Sequence, residues 1–118
     1  MVAKTSLLKL RKNITKKIII QPQFDIQMSD VLMFGIEQFG YKVAHDFYTN
    51  VMNKIVALPA MPHIHPKNRF IESTQKIVYR NILVDKYAVL YSVTVHVIRV
   101  ITIYHTAINP EKIKNMAK

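Results

Sequence analysis

The chain contains no cysteine. Neither disulfides nor a thiolate metal cluster can support its fold, and cysteine-based catalysis is excluded. Acidic residues are scarce: seven Asp and Glu stand against seventeen Lys and Arg, for a net charge of +10. Long apolar runs are lacking as well. The most apolar stretch, from Tyr87 to Tyr104, is broken by Ser92, Thr94, His96, Arg99 and Thr102, so a membrane span of about twenty apolar residues is not expected. The N-terminal segment is basic, but Lys9 interrupts Leu7, Leu8 and Leu10 before they reach the length of a secretory leader. No internal repeat is visible. A reducing cytoplasm suits these features.

What is present is enough for one domain. The chain has 118 residues, half of them apolar, and folding at this length hides roughly two-thirds of the unfolded surface. The charge is unevenly spread. Residues 1–17 carry six basic and no acidic residues, residues 23–58 two basic and four acidic, and residues 59–118 nine basic and three acidic. A field of this sign attracts polyanions, whether nucleic acid or an acidic protein. Residues 1–15 read as a basic extension, with the folded domain spanning residues 16–118.

Residues 16–21, Lys-Lys-Ile-Ile-Ile-Gln, form a β-branched run closed by Pro22 and predict a strand. The period then changes. Phe24, Met28, Leu32, Ile36 and Phe39 recur at helical spacing, Asp25 and Asp30 lie near the front, and Gly40 stands where a left-handed cap is expected. A second helical stripe of Ala44, Phe47, Val51, Ile55 and Leu58 stops before Pro59. The two make a helical hairpin that needs a sheet to cover. A proline-marked loop over residues 59–69 follows. Residues 76–84, 87–95 and 97–104 are rich in Val, Ile and Tyr and predict three strands, with Asp85-Lys86 as the first turn. That turn has no glycine, which leaves a longer hairpin open. In the last strand Val97, Arg99, Ile101, Ile103 and His105 share a face by the period of two. Arg99 on that otherwise apolar face must be at an edge or paired. Pro110 to Ala117 predicts a brief helix. The expected fold is α+β with two layers: an N-terminal strand, a helical hairpin over one sheet face, and a three-stranded antiparallel meander. The other face is expected to be open for contacts.

This pattern resembles the RelE/ParE superfamily of toxin–antitoxin toxins over about residues 16–112. The matching features are the hairpin ending in Ala57-Leu58-Pro59, then Tyr79-Arg80 followed by Tyr87-Ala88-Val89-Leu90-Tyr91-Ser92-Val93, and the ending Ile101-Thr102-Ile103-Tyr104-His105 with Asn109-Pro110. The ending is similar to that of the ParE-like plasmid-stabilisation branch. That branch commonly has an arginine where Ile108 stands here, and the loop lacks the lysine array of ribosome-dependent RelE nucleases. The resemblance implies a cytoplasmic toxin bound by a cognate antitoxin, whose acidic, partly disordered tail folds on a basic surface. A homodimer or a hetero-oligomer with the antitoxin is open. In ParE-like members the target is DNA gyrase, inhibited by binding. The alternative is a RelE-like mRNA endoribonuclease, acting with or without the ribosome; a third option is an inactive member kept as a binding module. No cofactor is implied.

Candidate target- or antitoxin-binding residues are Lys67, Arg69, Lys76, Arg80, Arg99 and His105. Metal-free RNA cleavage needs a base, a phosphate clamp and an acid. His105 and Arg80 are the catalytic candidates under that alternative, with Glu72 and Tyr104 as further partners. The competing structural reading has His105 and Tyr104 finishing the sheet and bonding a loop, while Arg80 braces a carboxylate, and it is preferred. His63 and His65 could share one side of an extended segment. With no third ligand beside them they read as solvent-exposed loop histidines and not a metal site. Tyr79, Tyr87 and Tyr91 alternate with Lys76, Arg80 and Lys86. Such interleaving can stack RNA bases, but Tyr87 and Tyr91 share a face with Val89 and Val93 and read as packing.

Overall fold

The computed structural model describes residues 16–117, and the basic extension expected over residues 1–15 lies outside them. Strand β1 (Lys17–Ile20) leads directly into helix α1 (Pro22–Phe39). Pro22 sits in the first helical turn, where its missing N–H is no loss, and Asp25 faces the positive end of the helix dipole. Gly40 alone joins α1 to α2 (Tyr41–Val56). Its N–H donates to Ile36 O at 3.0 Å, and its own carbonyl accepts from Ala44 N–H at 3.3 Å. The backbone there is not the left-handed cap expected from sequence: φ is 88° and ψ 167°, a region that only glycine occupies without strain.

After a long loop come β2 (Val78–Val84), β3 (Tyr87–Val93) and β4 (Val97–His105), and then the short helix α3 (Pro110–Lys114). The architecture is α+β, a helical hairpin followed by a three-stranded meander, as expected. The sheet order is β1-β4-β3-β2, with β1 parallel to β4 and the other pairs antiparallel. Val84 pairs with Tyr87, so Asp85-Lys86 is a true two-residue turn. Asp85 replaces the absent glycine at φ 52°, a conformation that Asp tolerates through local hydrogen bonding.

The main core lies between hairpin and sheet. Phe24, Met28, Val51, Ile55 and Leu58 pack on Ile82, Val89, Tyr91, Val93, Ile98, Val100 and Ile103. Full burial of each such side chain contributes about 1.5–3 kcal/mol. The hairpin's far end is left bare. Phe34, Phe39 and Tyr41 are 52%, 66% and 74% exposed, although Phe39 continues the stripe begun by Phe24 and Met28.

Two expectations require correction. The reverse face of the sheet is only partly open: Ala88, Leu90, Ile101 and Tyr104 are buried beneath Ile113 of α3, with Phe70, Ile71, Ile108 and Met116 around them, while Leu83 and Arg99 stay exposed. Sheet-to-hairpin packing covers one side only, and the chain's C-terminal end supplies the other cover. The single face proposed for β4 is also broken. Leu90 pairs with Thr102 but Tyr91 pairs with Val100, leaving Ile101 as an extra residue. This bulge turns Ile101 to the reverse core and Ile103 to the hairpin core. Arg99, opposite Ser92, is simply exposed.

Candidate functional site

The loop after α2 folds back across the end of the sheet, and backbone geometry holds it there. Asn81 N–H donates to Pro66 O at 3.0 Å and Asn68 N–H to Tyr79 O at 2.8 Å, so residues 66–68 run beside β2 as a partial edge. Lys67 and Arg80 form an antiparallel bridge within that edge. Asn68 is buried, and its Oδ1 accepts from the N–H groups of Phe70 and Ile71 at 2.8 and 3.1 Å. Its Nδ2 donates to Asn81 Oδ1 at 3.0 Å and to Tyr104 Oη at 3.3 Å. Tyr104 therefore belongs to a buried polar network that ties the loop to the reverse face. Burial pushes its phenol pKa up, with the amide bonds from Asn81 and Asn68 opposing.

Arg80 lies on the hairpin side of β2, facing Tyr91 across the ladder. It braces a carbonyl where a carboxylate was expected: Nη1 donates to His65 O at 2.7 Å. Its Nε is buried without a hydrogen-bond partner among the described residues. Tyr91 Oη donates to Pro62 O at 2.9 Å, and the His65 ring stands edge-on to the Tyr91 ring at 6.2 Å. Burial pushes the Tyr91 phenol up to about 12, with Arg80 opposing. His63 is exposed, whereas His65 is half-buried, contrary to the reading of both as free loop histidines. Both imidazoles are held below the ordinary 6.5, first by burial; Arg80 and Lys16 add to this at His63, Lys54 and Arg80 at His65. Among the described residues no group of three metal-ligating side chains is assembled around them or elsewhere.

The remaining candidates do not converge here. Arg69 is exposed, with its guanidinium 6.0 Å from the Phe70 ring. Lys76 is exposed on the Thr74 turn before β2, and Glu72 is exposed on the segment ahead of it. Arg99 is on the reverse side. His105 pairs with Tyr87, four residues along β3 from Tyr91. At ~3.3 Å rise per residue, that register sets His105 and Arg80 about 13 Å apart along the strand, on opposite sides of β3. His105 Nδ1 accepts from Ala107 N–H at 3.0 Å, and its exposed ring meets Tyr87 edge-on at 5.2 Å. Tyr79 packs in the reverse core, and Tyr87 and Tyr91 in the hairpin core, so none of the three forms an open stacking platform.

A second feature is a cleft of about 620 Å³ between the hairpin's bare end and the β2–β3 turn. Phe34, Phe39, Val43 and Phe47 line it from the helices, and Asp85, Lys86 and Tyr87 from the turn.

No family model matches the chain, and no curated protein matches it. Among solved structures, it is similar to a chain described as "Chromosomal ParDE TA system from P. aeruginosa", with a TM-score of 0.62 and 8% identity. The likeness covers 77% of this chain and 96% of the other. It is a likeness of fold.

Sequence reasoning missed two members of the Arg80 neighbourhood. Lys54 is on the last turn of α2, one turn before the proline that starts the loop, and its spacing offered a signal. Lys16 offered none. It reaches the site only because β1 runs parallel to β4, which brings its Nζ to Thr94 O and Val95 O at 2.9 and 2.7 Å.

Proposed function

We propose that this protein is a ParE-like toxin of a toxin–antitoxin system, neutralised by a cognate antitoxin and acting in the cytoplasm by binding its target. In ParE-like members that target is DNA gyrase. The observation that carries the reading is the fold: the hairpin-and-meander arrangement shared with a chain of a ParDE system. The net charge of +10 suits capture of an acidic partner. The apolar cleft offers such a partner's apolar side chains a place to bury, which charge alone does not provide. Lys67, Arg69, Lys76, Arg80, Arg99 and His105 are the proposed target- or antitoxin-binding contacts.

Binding is favoured over RNA cleavage by the separation of Arg80 and His105, about 13 Å along the strand direction. A phosphate clamp and a proton-transfer group must both lie within about 3 Å of the reacting atoms, and these stand on opposite sides of β3. His105 also has Nδ1 engaged by Ala107. The experiment is expression of the chain alone and with the adjacent gene, followed by supercoiling and RNA-integrity assays. The expected result is growth arrest relieved by the neighbour, with supercoiling lost and RNA intact. RNA cleavage abolished by His105→Ala or Arg80→Ala would install the endoribonuclease reading. Normal growth with the folded chain alone would remove the toxin reading.

A further inference from the structure

The hairpin carries more apolar surface than the fold of one chain uses. Its helices meet near the tip through Gly35 and Ala44, where a Cβ on the glycine would stand 3.5 Å from that of Ala44. Contact that close leaves no room between the helices for the large side chains around it, and they stay exposed. Phe34, Phe39 and Val43 line the cleft beside the β2–β3 turn, while Ile36, Tyr41 and Tyr48 line a second groove along the hairpin. Ile36, Val43 and Tyr48 are 41%, 53% and 39% exposed, beside the still barer Phe34, Phe39 and Tyr41. These six side chains present roughly 550 Å² of apolar surface, at about 200 Å² for a whole aromatic side chain and about 100 Å² for an aliphatic one. An apolar patch of that size on a small chain marks a contact. Charge singles out the same place. Glu37, Asp46 and Asp85 are exposed around it with Lys42 and Lys86, so it is close to neutral on a chain of net charge +10.

We infer that two copies of this chain associate through the bare end of the hairpin, each seating its tip in the cleft of the other. The occupant follows from area and charge. A standard interface buries about 800 Å² on each partner, roughly 60% of it apolar, which asks for about 500 Å² of apolar surface per copy. The hairpin end supplies that amount. Two chains of charge +10 repel wherever their basic surfaces meet, and the near-neutral tip is where they approach at least cost. A two-fold arrangement makes one patch serve as both halves of the contact, and its mixed charges then have opposite partners across the axis. An anionic lipid surface fits less well, being drawn to the basic remainder of the chain. Tyr41 is the projecting side chain. It is 74% exposed in the first turn of α2, with its ring parallel to that of His45 at 6.4 Å. The cleft that receives it has a volume of about 620 Å³, the size of pockets that enclose whole ligands. Phe47 and Tyr87, edge-on to each other at 5.5 Å, give it aromatic walls. The contact stands independently of the toxin reading; an antitoxin that uses the same cleft has to displace the second copy.

The test is sedimentation velocity on the full chain, freed of nucleic acid, over a range of concentrations at low and at high salt. The expected result is a reversible monomer–dimer equilibrium with a Kd in the micromolar range. It should tighten as salt is raised, because screening removes the repulsion between like-charged copies. Association bridged by nucleic acid weakens with salt instead. Phe39→Glu and Tyr41→Glu should each weaken the dimer about tenfold or more, since each puts a charge into an apolar contact. Both residues are exposed in the single chain, so thermal unfolding of the monomer should be unchanged; if Phe39→Glu unfolds the chain, Tyr41→Glu decides alone. Val95→Glu is the control. Val95 is as exposed as Tyr41 but stands in the β3–β4 turn, and its substitution should leave association as it is. The proposal is overturned by a chain that stays monomeric throughout, by association that weakens with salt, by a dimer that survives Tyr41→Glu, or by equal loss in Val95→Glu. Binding of the monomer to vesicles of neutral phosphatidylcholine, lost in Tyr41→Glu, would assign the surface to a membrane and overturn it as well. Neither antitoxin nor target enters the measurement, so its outcome is separable from that of the toxin reading.

Discussion

At the scale of single residues, the loop end of the sheet is held by a few hydrogen bonds whose removal can be measured. Tyr91→Phe deletes the bond to Pro62 O and leaves a carbonyl without its donor. The expected loss is about 1 kcal/mol in urea unfolding. The two loop histidines make a different prediction. Both are held below 6.5 in the folded protein, so the unfolded chain takes up protons first as the pH falls. Stability present above 6.5 is therefore lost on acidification, down through the folded-state values. His65→Gln should flatten the decline of Tm below 6.5 relative to the parent. An unchanged slope would show that His65 carries none of it. At this scale the sequence marked Arg80 and the histidines as polar candidates. It could not tell that Arg80 would meet a carbonyl, because the loop's path across β2 is set by Asn68 and Asn81, residues with no distinctive spacing.

At the scale of elements, the joints are more informative than the helices and strands. Gly40 is a complete connection between two long helices, at a φ of 88° and ψ of 167°. Gly40→Ala should cost about 1–3 kcal/mol through backbone strain, although a Cβ there would meet no neighbouring atom. That separation of strain from crowding makes it a clean test by thermal or urea unfolding. Helix α3 is only one turn and a half long and stands on its cap: Asn109 Oδ1 accepts from Glu111 N–H at 3.0 Å, with Pro110 following. Asn109→Ala should cost about 1 kcal/mol and raise hydrogen exchange on the reverse face more than on the hairpin face. Strand and helix identities were legible because side-chain periodicity of two or of three to four survives any tertiary context. The bulge at Ile101 was not, since one extra residue in a run of Val, Ile and Thr leaves the apolar pattern looking continuous.

At the scale of the whole molecule, the sheet is a layer covered on both sides by unequal partners. The hairpin supplies one cover and leaves its own far end bare beside an apolar cleft. The C-terminal segment supplies the other with a single buried isoleucine at its centre, Ile113. Removal of residues 109–118 should expose Leu90, Ala88 and Ile101, producing dye binding to apolar surface and a fall in Tm. Full retention of stability would mean that Phe70 and Ile71 suffice as a cover. The growth and supercoiling assays that test the toxin proposal belong to this scale too, since binding of a macromolecule depends on which large surface meets it. Under the proposed toxin reading, a deletion that leaves the cleft intact should still bind the antitoxin.

The order of elements, the hairpin and the net positive field were determined by the sequence itself, because each depends on local period, on Pro and Gly chemistry, or on composition. Tertiary structure alone decided that β1 lies parallel to β4, that the reverse face is partly covered, and that Lys16, Lys54, His63, His65 and Arg80 share one end of the sheet while His105 is at the other. Those outcomes join residues far apart in the chain. They are selected by which surfaces bury best together, a property of the packed whole that no local window of sequence contains.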